Sequence, residues 1–218
     1  MDDWIRRLFR DETMLRMGHC QRAEDGNLGL GWVYYALARL LRPTTVVVIG
    51  SYRGFVPLTF GKALHDNGSG GAVWLIEPSL VDDFWKDPAR VTAHFASAGV
   101  TNVRHVPRTT QEFVETDDYR QLGRVGLLHV DGMHTEEQAA FDFEAFAGRL
   151  VTTSVALFHD SVAMDISRVY GDDRPYVCTV RRFIDRLKTR REWQVFDLPF
   201  GPGLTLVRRA DMLPVPAR

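Results

Sequence analysis

Cysteine is scarce in this chain: there are two, Cys20 and Cys178, far apart and outside any C-x-x-C spacing. That scarcity excludes a disulfide framework and a thiolate zinc site, and it fits a reducing compartment. Long apolar runs are missing as well. Met1 to Arg10 is charged and amphipathic, too short in apolar residues for a secretory signal or a membrane span. The expectation is a cytoplasmic protein with no membrane partner. Neither sign of charge dominates, since 27 basic and 28 acidic residues leave a formal net charge of -1. With no basic stripe to track a phosphate backbone, nucleic acid is not the expected partner and a small-molecule substrate is. There is no linker, internal repeat or low-complexity stretch either. What is present, 218 residues of which 45% are hydrophobic, is enough for one domain with a proper core.

The clearest buried strand is Thr44 to Ile49, a β-branched run that follows the helix-ending Pro43 and stops at Gly50. Four more apolar runs follow: Ala72 to Ile76, Asn102 to Val106, Val125 to Val130 and Ser154 to Phe158. Between them, Phe55 to His65, Pro88 to Ala98 and Glu136 to Leu150 carry apolar residues at helical spacing. The last of these places Ala140, Phe143, Ala147 and Leu150 on one stripe. Such alternation predicts an α/β fold, doubly wound, with a mostly parallel sheet and helices on both faces. A helix from Val177 to Arg190 then precedes Trp193 to Leu198 and Leu204 to Val207, close enough to form an antiparallel hairpin and bring the sheet to seven strands. Ser161 to Tyr176 has little periodicity and reads as a loop over the site.

Ligands of open α/β sheets bind outside the carboxyl ends of the strands, so the informative residues come directly after each strand. Gly50, Ser51, Tyr52, Arg53 and Gly54 follow the first strand and open a helix, where glycine allows close backbone approach and free amides favour a polar group. Glu77 ends the second strand, held extended by Pro78, and a carboxylate there can accept both hydroxyl hydrogen bonds of a ribose. The spacing Gly50-x-x-x-Gly54 differs from the G-x-G-x-x-G that seats a pyrophosphate. A nucleoside cofactor without pyrophosphate therefore fits better than a nicotinamide dinucleotide.

The segments VVVIGSYRGF, VWLIEP, LLHVDGMHTEEQAAFDFEAF and LFHDS, in this order, resemble the class I S-adenosylmethionine-dependent methyltransferases. Within them, the likeness is to the bacterial group of sugar and natural-product O-methyltransferases and cephalosporin-hydroxylase-like proteins. The resemblance covers about Gly31 to Val207 and implies a Rossmann-like methyltransferase fold. A helical N-terminal segment over residues 1–30 and a core over 31–208 would form one domain of 218 residues, and the amphipathic N-terminus offers a surface for a homo-oligomer. It further implies that Gly50, Ser51, Tyr52 and Gly54 line the methionine moiety, that Glu77 holds the ribose, and that Thr109, Thr110 and Gln111 lie at the adenine. Where the family commonly has an acid two positions before the first glycine, this chain has Val48, which leaves Asp131 to meet the cofactor's amino group.

Asp131 ends the fourth strand, and Asp160 follows the fifth. Two carboxylates on one side of a crevice suit Mg²⁺ or another divalent cation, with His159 as a third ligand that favours a softer ion such as Mn²⁺ or Fe²⁺. O-methylation of a small-molecule hydroxyl needs a base, and a neutral histidine can serve, His134 first and His159 second. Two other readings stay open: a nucleoside-binding module without catalysis that acts as an oligomeric partner, and a metal-dependent hydrolase or oxygenase.

Overall fold

Val46 to Ile49 are buried on both sides of their strand, as expected of a central strand covered by helices on two faces. The computed structural model describes residues 1–15 and 18–210; the rest of the expected single-domain span, residues 211–218, lies outside the described residues. The strands are β1 (Thr45–Ile49), β2 (Ala72–Ile76), β3 (Val103–Val106), β4 (Val125–Val130), β5 (Leu150–His159), β6 (Ile166–Ser167), β7 (Tyr176–Val177), β8 (Trp193–Leu198) and β9 (Leu204–Arg209). Seven of them form one sheet in the order β3-β2-β1-β4-β5-β9-β8. The first five run parallel, and β9 and β8 complete the sheet antiparallel, as the hairpin spacing predicts.

Helices cover both faces: α1 (Asp2–Leu8), α2 (Gly31–Leu41), α3 (Phe55–Asn67), α4 (Pro88–Ser97), α5 (Thr110–Phe113), α6 (Asp117–Gln121), α7 (Glu136–Ala147) and α8 (Val180–Thr189). Because side chains alternate along a strand, Val46 and Val48 join the core built with α1, α2 and α3, while Val47 and Ile49 join the one built with α7 and α8. Among the described residues, no helix is long and apolar enough to cross a membrane.

Several boundaries differ from the periodicity; the strand expected over Ser154 to Phe158, for one, begins at Leu150. α7 ends at Ala147 with Gly148 as its cap, and Leu150 is already paired with Val125 in the sheet rather than lying on the helical stripe. The helix expected from Val177 starts at Val180, because Tyr176 and Val177 pair with Ser167 and Ile166 in a small hairpin within the aperiodic stretch. The N-terminal segment is helical over Asp2–Leu8 and one 3-10 turn, Glu12–Leu15; residues 18–30 form a loop closed by an Arg22–Asn27 bridge.

β1 ends in a backbone crossing too tight for any side chain. Gly50 has φ of 73°, and a Cβ on it would lie 2.1 Å from the carbonyl oxygen of Asp131. Gly50→Ala combines left-handed strain with a clash against backbone, for an expected loss of about 2–3 kcal/mol. That corresponds to a melting temperature lower by about 4–12 °C for a chain of this size, checked by thermal circular dichroism.

Candidate functional site

Strand order reverses between β2-β1 and β4-β5, and a cleft opens there at the carboxyl ends. Register decides which residues meet in it. Ile49 pairs with Val130, so Gly50 and Asp131 follow side by side; Val130 pairs with Phe158, so Asp131 faces His159.

One wall is the expected cofactor wall. Gly50, Ser51, Tyr52, Glu77, Thr109, Thr110 and Gln111 all line the cleft. Glu77 is 9% exposed, its Oε2 accepting from the Ser51 amide (3.1 Å) and its Oε1 from the Ser79 amide (2.8 Å). Burial pushes its pKa up against the pull of these two amides. The clamp ties the end of β2 to the turn after β1 and leaves a lone pair on each oxygen for a ligand. Gly54 is not part of this wall: a Cβ there would meet Trp85, His94 and Phe95, so its glycine serves helix packing. Trp85 likewise points away, donating from its ring to the Tyr52 carbonyl.

The other wall is a cluster of imidazoles and carboxylates. In an extended chain, Asp160 would point to the opposite face from His159. Its φ of 50° turns the carboxylate back, a backbone conformation that costs energy in a non-glycine residue and is typical of functional sites. His134 Nε2 then lies 3.2 Å from Asp131 Oδ1, and its Nδ1 lies 2.9 Å from Asp160 Oδ2. His159 Nδ1 sits 3.2 Å from both carboxylates, outside hydrogen-bond angles, as an ionic contact. Burial works against charge on all four groups, yet their mutual pairing wins. Asp131 and Asp160 are held well below the ordinary carboxylate range, His134 is raised well above the ordinary imidazole value, and His159 is raised to about 10. Asp131, His134 and Asp160 each bring a donor atom within 4.8 Å of the others, a set that fits a divalent cation. The sequence pointed to His159 as the nitrogen ligand; the geometry puts His134 in that place instead, because its two ring nitrogens lie against both carboxylates.

Two residues of the site gave no sequence signal. His19, from the N-terminal loop, is 2% exposed, with Nδ1 3.1 Å from the Tyr34 hydroxyl and Nε2 3.9 Å from Asp131 Oδ2. Burial and then the charge on His159 hold its pKa well below the ordinary value. His129 on β4 is fully buried against Tyr34, and burial lowers its pKa to about 4. The second unforeseen residue is Asp142 on α7, buried at the floor of the cleft and pushed up to about 6 by burial, against the pull of Thr110 and Gln138.

Asp142 gives a pH signature with a definite sign. Its folded pKa exceeds its ordinary value of 3.8, so between those values the folded chain holds a proton that the unfolded chain releases. Its contribution to stability therefore falls as pH rises from about 4 to about 6, and stays flat above. Asp142→Asn removes the buried charge and is expected to stabilise the ligand-free protein at pH 7 by about 1–3 kcal/mol, a gain that vanishes near pH 4. Urea unfolding across that range checks it.

Comparison with known proteins agrees with this geometry. A family described as a methyltransferase domain matches residues 32–161, from α2 through the turn that carries Asp160. An uncharacterized protein of Sinorhizobium fredii, y4gI, is 29% identical over 148 residues; the match takes in 66% of this chain and 15% of that protein's length. The O-methyltransferase TomG from Streptomyces achromogenes, involved in tomaymycin synthesis and solved with SAM, superposes with a TM-score of 0.64 at 19% identity, over 96% of this chain and 89% of that one. An O-methyltransferase from Bacillus cereus solved with SAH gives 0.65 at 13% identity, over 96% and 92%. At such identities these two structures establish the fold.

Proposed function

This chain belongs to the family of methyltransferase domains, and we propose that it transfers the methyl group of S-adenosylmethionine to a hydroxyl of a small molecule, a sugar or natural product, as one catalytic unit. The observation that carries the reading is the buried Glu77, bonded across to the Ser51 amide beside Gly50 at the point where strand order reverses. The two neighbours solved as O-methyltransferases support oxygen as the acceptor atom.

When bound, the cofactor supplies an electrophilic methyl group. The chain aligns the acceptor oxygen with it and excludes water. In the ligand-free cleft His134 is held protonated by Asp131 and Asp160, against its two ring nitrogens; as base it acts from the neutral form, reached when the cofactor's amino group draws on Asp131, and it then takes the hydroxyl proton. Asp131 would also meet the cofactor's amino group, since Val48 offers no anion there. A divalent cation, where one is bound, would be held by Asp131, Asp160 and His134, which would then be a ligand rather than the base, and would acidify the hydroxyl. A nitrogen ligand beside two carboxylates suits Mn²⁺ or Fe²⁺ better than Mg²⁺. Met133 and Tyr170 line the open side of the cleft, where an acceptor would rest.

Calorimetric titration of the metal-stripped protein with S-adenosylhomocysteine, repeated with Mg²⁺ and Mn²⁺, tests this directly. Micromolar binding is expected. No binding under any of these conditions would remove the proposed activity.

A further inference from the structure

The rim of the cleft is apolar, and neither the ribose clamp nor the imidazole cluster accounts for it. Leu80 and Val81 from the loop after β2, Met133 from the loop after β4 and Val169 from the turn between β6 and β7 all line the cleft. Each is between 38% and 60% exposed. Three separate loops thus hold apolar side chains toward water at one opening, an arrangement that marks a surface a ligand covers. Tyr170 lines the same cleft, half-buried and stacked on Tyr176 with ring centroids 5.8 Å apart. The Tyr176 hydroxyl accepts from the His134 amide at 3.4 Å, and the Thr179 amide donates to the His134 carbonyl at 2.8 Å. The aromatic pair is therefore fixed to the loop that carries the base. The charges of Glu77 and His134 both reach the Tyr170 hydroxyl, which places this side chain near the ribose clamp and the base alike.

Charge narrows the occupant. Four acids line the cleft, Glu77, Asp131, Asp142 and Asp160, and among the described residues that line it there is no lysine or arginine. Arg53, in the turn after β1, is already committed to Asp82 at 2.5 Å. A phosphate or carboxylate on the acceptor would enter beside these acids with no lysine or arginine to pair with. A sugar is also a poor fit, because each hydroxyl turned toward Leu80, Val81, Met133 or Val169 loses water and gains no partner, roughly a tenfold penalty apiece. A flat hydrocarbon ring buries favourably against the same side chains and adds an aromatic contact with Tyr170.

We propose that the acceptor is an uncharged aromatic alcohol, its ring held by Tyr170, Met133 and Val169 while its hydroxyl reaches His134. The proposal rests on the reading of the cleft as a methyl-transfer site and chooses, within that reading, against sugars and anionic acceptors. Tyr170 is the specificity-determining residue. The phenol oxygen gains the methyl group and loses its proton to neutral His134, and the sulfonium leaves as the thioether S-adenosylhomocysteine.

The test is calorimetric titration of the protein saturated with S-adenosylhomocysteine, using three probes: 2-naphthol, 6-hydroxy-2-naphthoate and methyl α-glucoside. The naphthol is expected to bind about 100-fold more tightly than the glucoside and about 30-fold more tightly than the naphthoate, which adds only a carboxylate to the same ring. Tyr170→Ala should weaken naphthol binding about 10-fold, and Tyr170→Phe, which keeps the ring, should restore it to within about twofold. Val169→Lys should invert the order of naphthol and naphthoate by giving the carboxylate a cation. No binding of the naphthol, equal or tighter binding of the glucoside or the naphthoate, or unchanged naphthol affinity in a Tyr170→Ala protein that still binds S-adenosylhomocysteine would overturn the proposal. If the unaltered protein does not bind S-adenosylhomocysteine, the cofactor reading itself fails, which is a different result.

Discussion

His134→Ala is expected to reduce methyl transfer by about 10²–10⁴-fold, the usual range for loss of a positioned base. His134 is the imidazole at the cleft wall that touches both site carboxylates through its two ring nitrogens. Without it, the hydroxyl proton has no comparable acceptor, and Asp131 and Asp160 are left as neighbouring anions. Most cofactor contacts lie on the opposite wall and Asp131 keeps its charge in the variant, so S-adenosylhomocysteine affinity should stay within about tenfold. The measurement is S-adenosylhomocysteine formed from S-adenosylmethionine across a panel of hydroxyl acceptors, paired with calorimetry on the same variant. Full turnover would exclude His134 as the base, and a parallel loss of Mn²⁺ binding would reassign it as an ion ligand. His134→Gln should fail as badly, because an amide can bond to Asp131 but cannot take up a proton at neutral pH.

Glu77→Ala should weaken S-adenosylhomocysteine binding by about 30- to 1000-fold, the value of two hydrogen bonds to a charged, buried acceptor. Each Glu77 oxygen already holds one backbone amide, of Ser51 or Ser79, so the carboxylate is oriented before the ligand arrives. Alanine removes the ribose acceptors and frees the turn after β1 in one step. Glu77→Gln keeps the shape but turns one acceptor into a donor facing an amide N-H, so about a tenfold loss is expected. Calorimetry reads both variants. Unchanged affinity in Glu77→Ala would take the ribose away from this residue.

The strand ends were legible because they depend on local pattern. β-branched runs that stop at Gly50, Glu77 and Asp131 mark carboxyl ends whatever the rest of the chain does. The Asp131-x-x-His134 spacing likewise survives folding as a short loop before α7. Asp142 was hidden for a physical reason. On a helix predicted to bury Ala140, Phe143 and Ala147, an aspartate reads as solvent-facing, whereas the buried set is Ala139, Asp142, Phe143, Phe146 and Ala147. The offset arises because the first turns of α7 close the cleft floor, which no periodicity reports. His19 comes from a loop with no pattern at all, and only packing beneath Asp131 gives it a place in the site.

From the sequence alone came the order of strands and helices, the antiparallel finish of the sheet and the acids at the strand ends, since each follows from the period of neighbouring residues. The tertiary structure decided which groups carry charge and which are buried. Asp160 joins His134 only through a left-handed turn, His159 holds its proton only between two carboxylates, and Asp142 is pushed up only because α7 buries it. Charge and hydrogen bonding depend on burial and on distances of a few ångströms between residues far apart in the chain, and those are properties of packing.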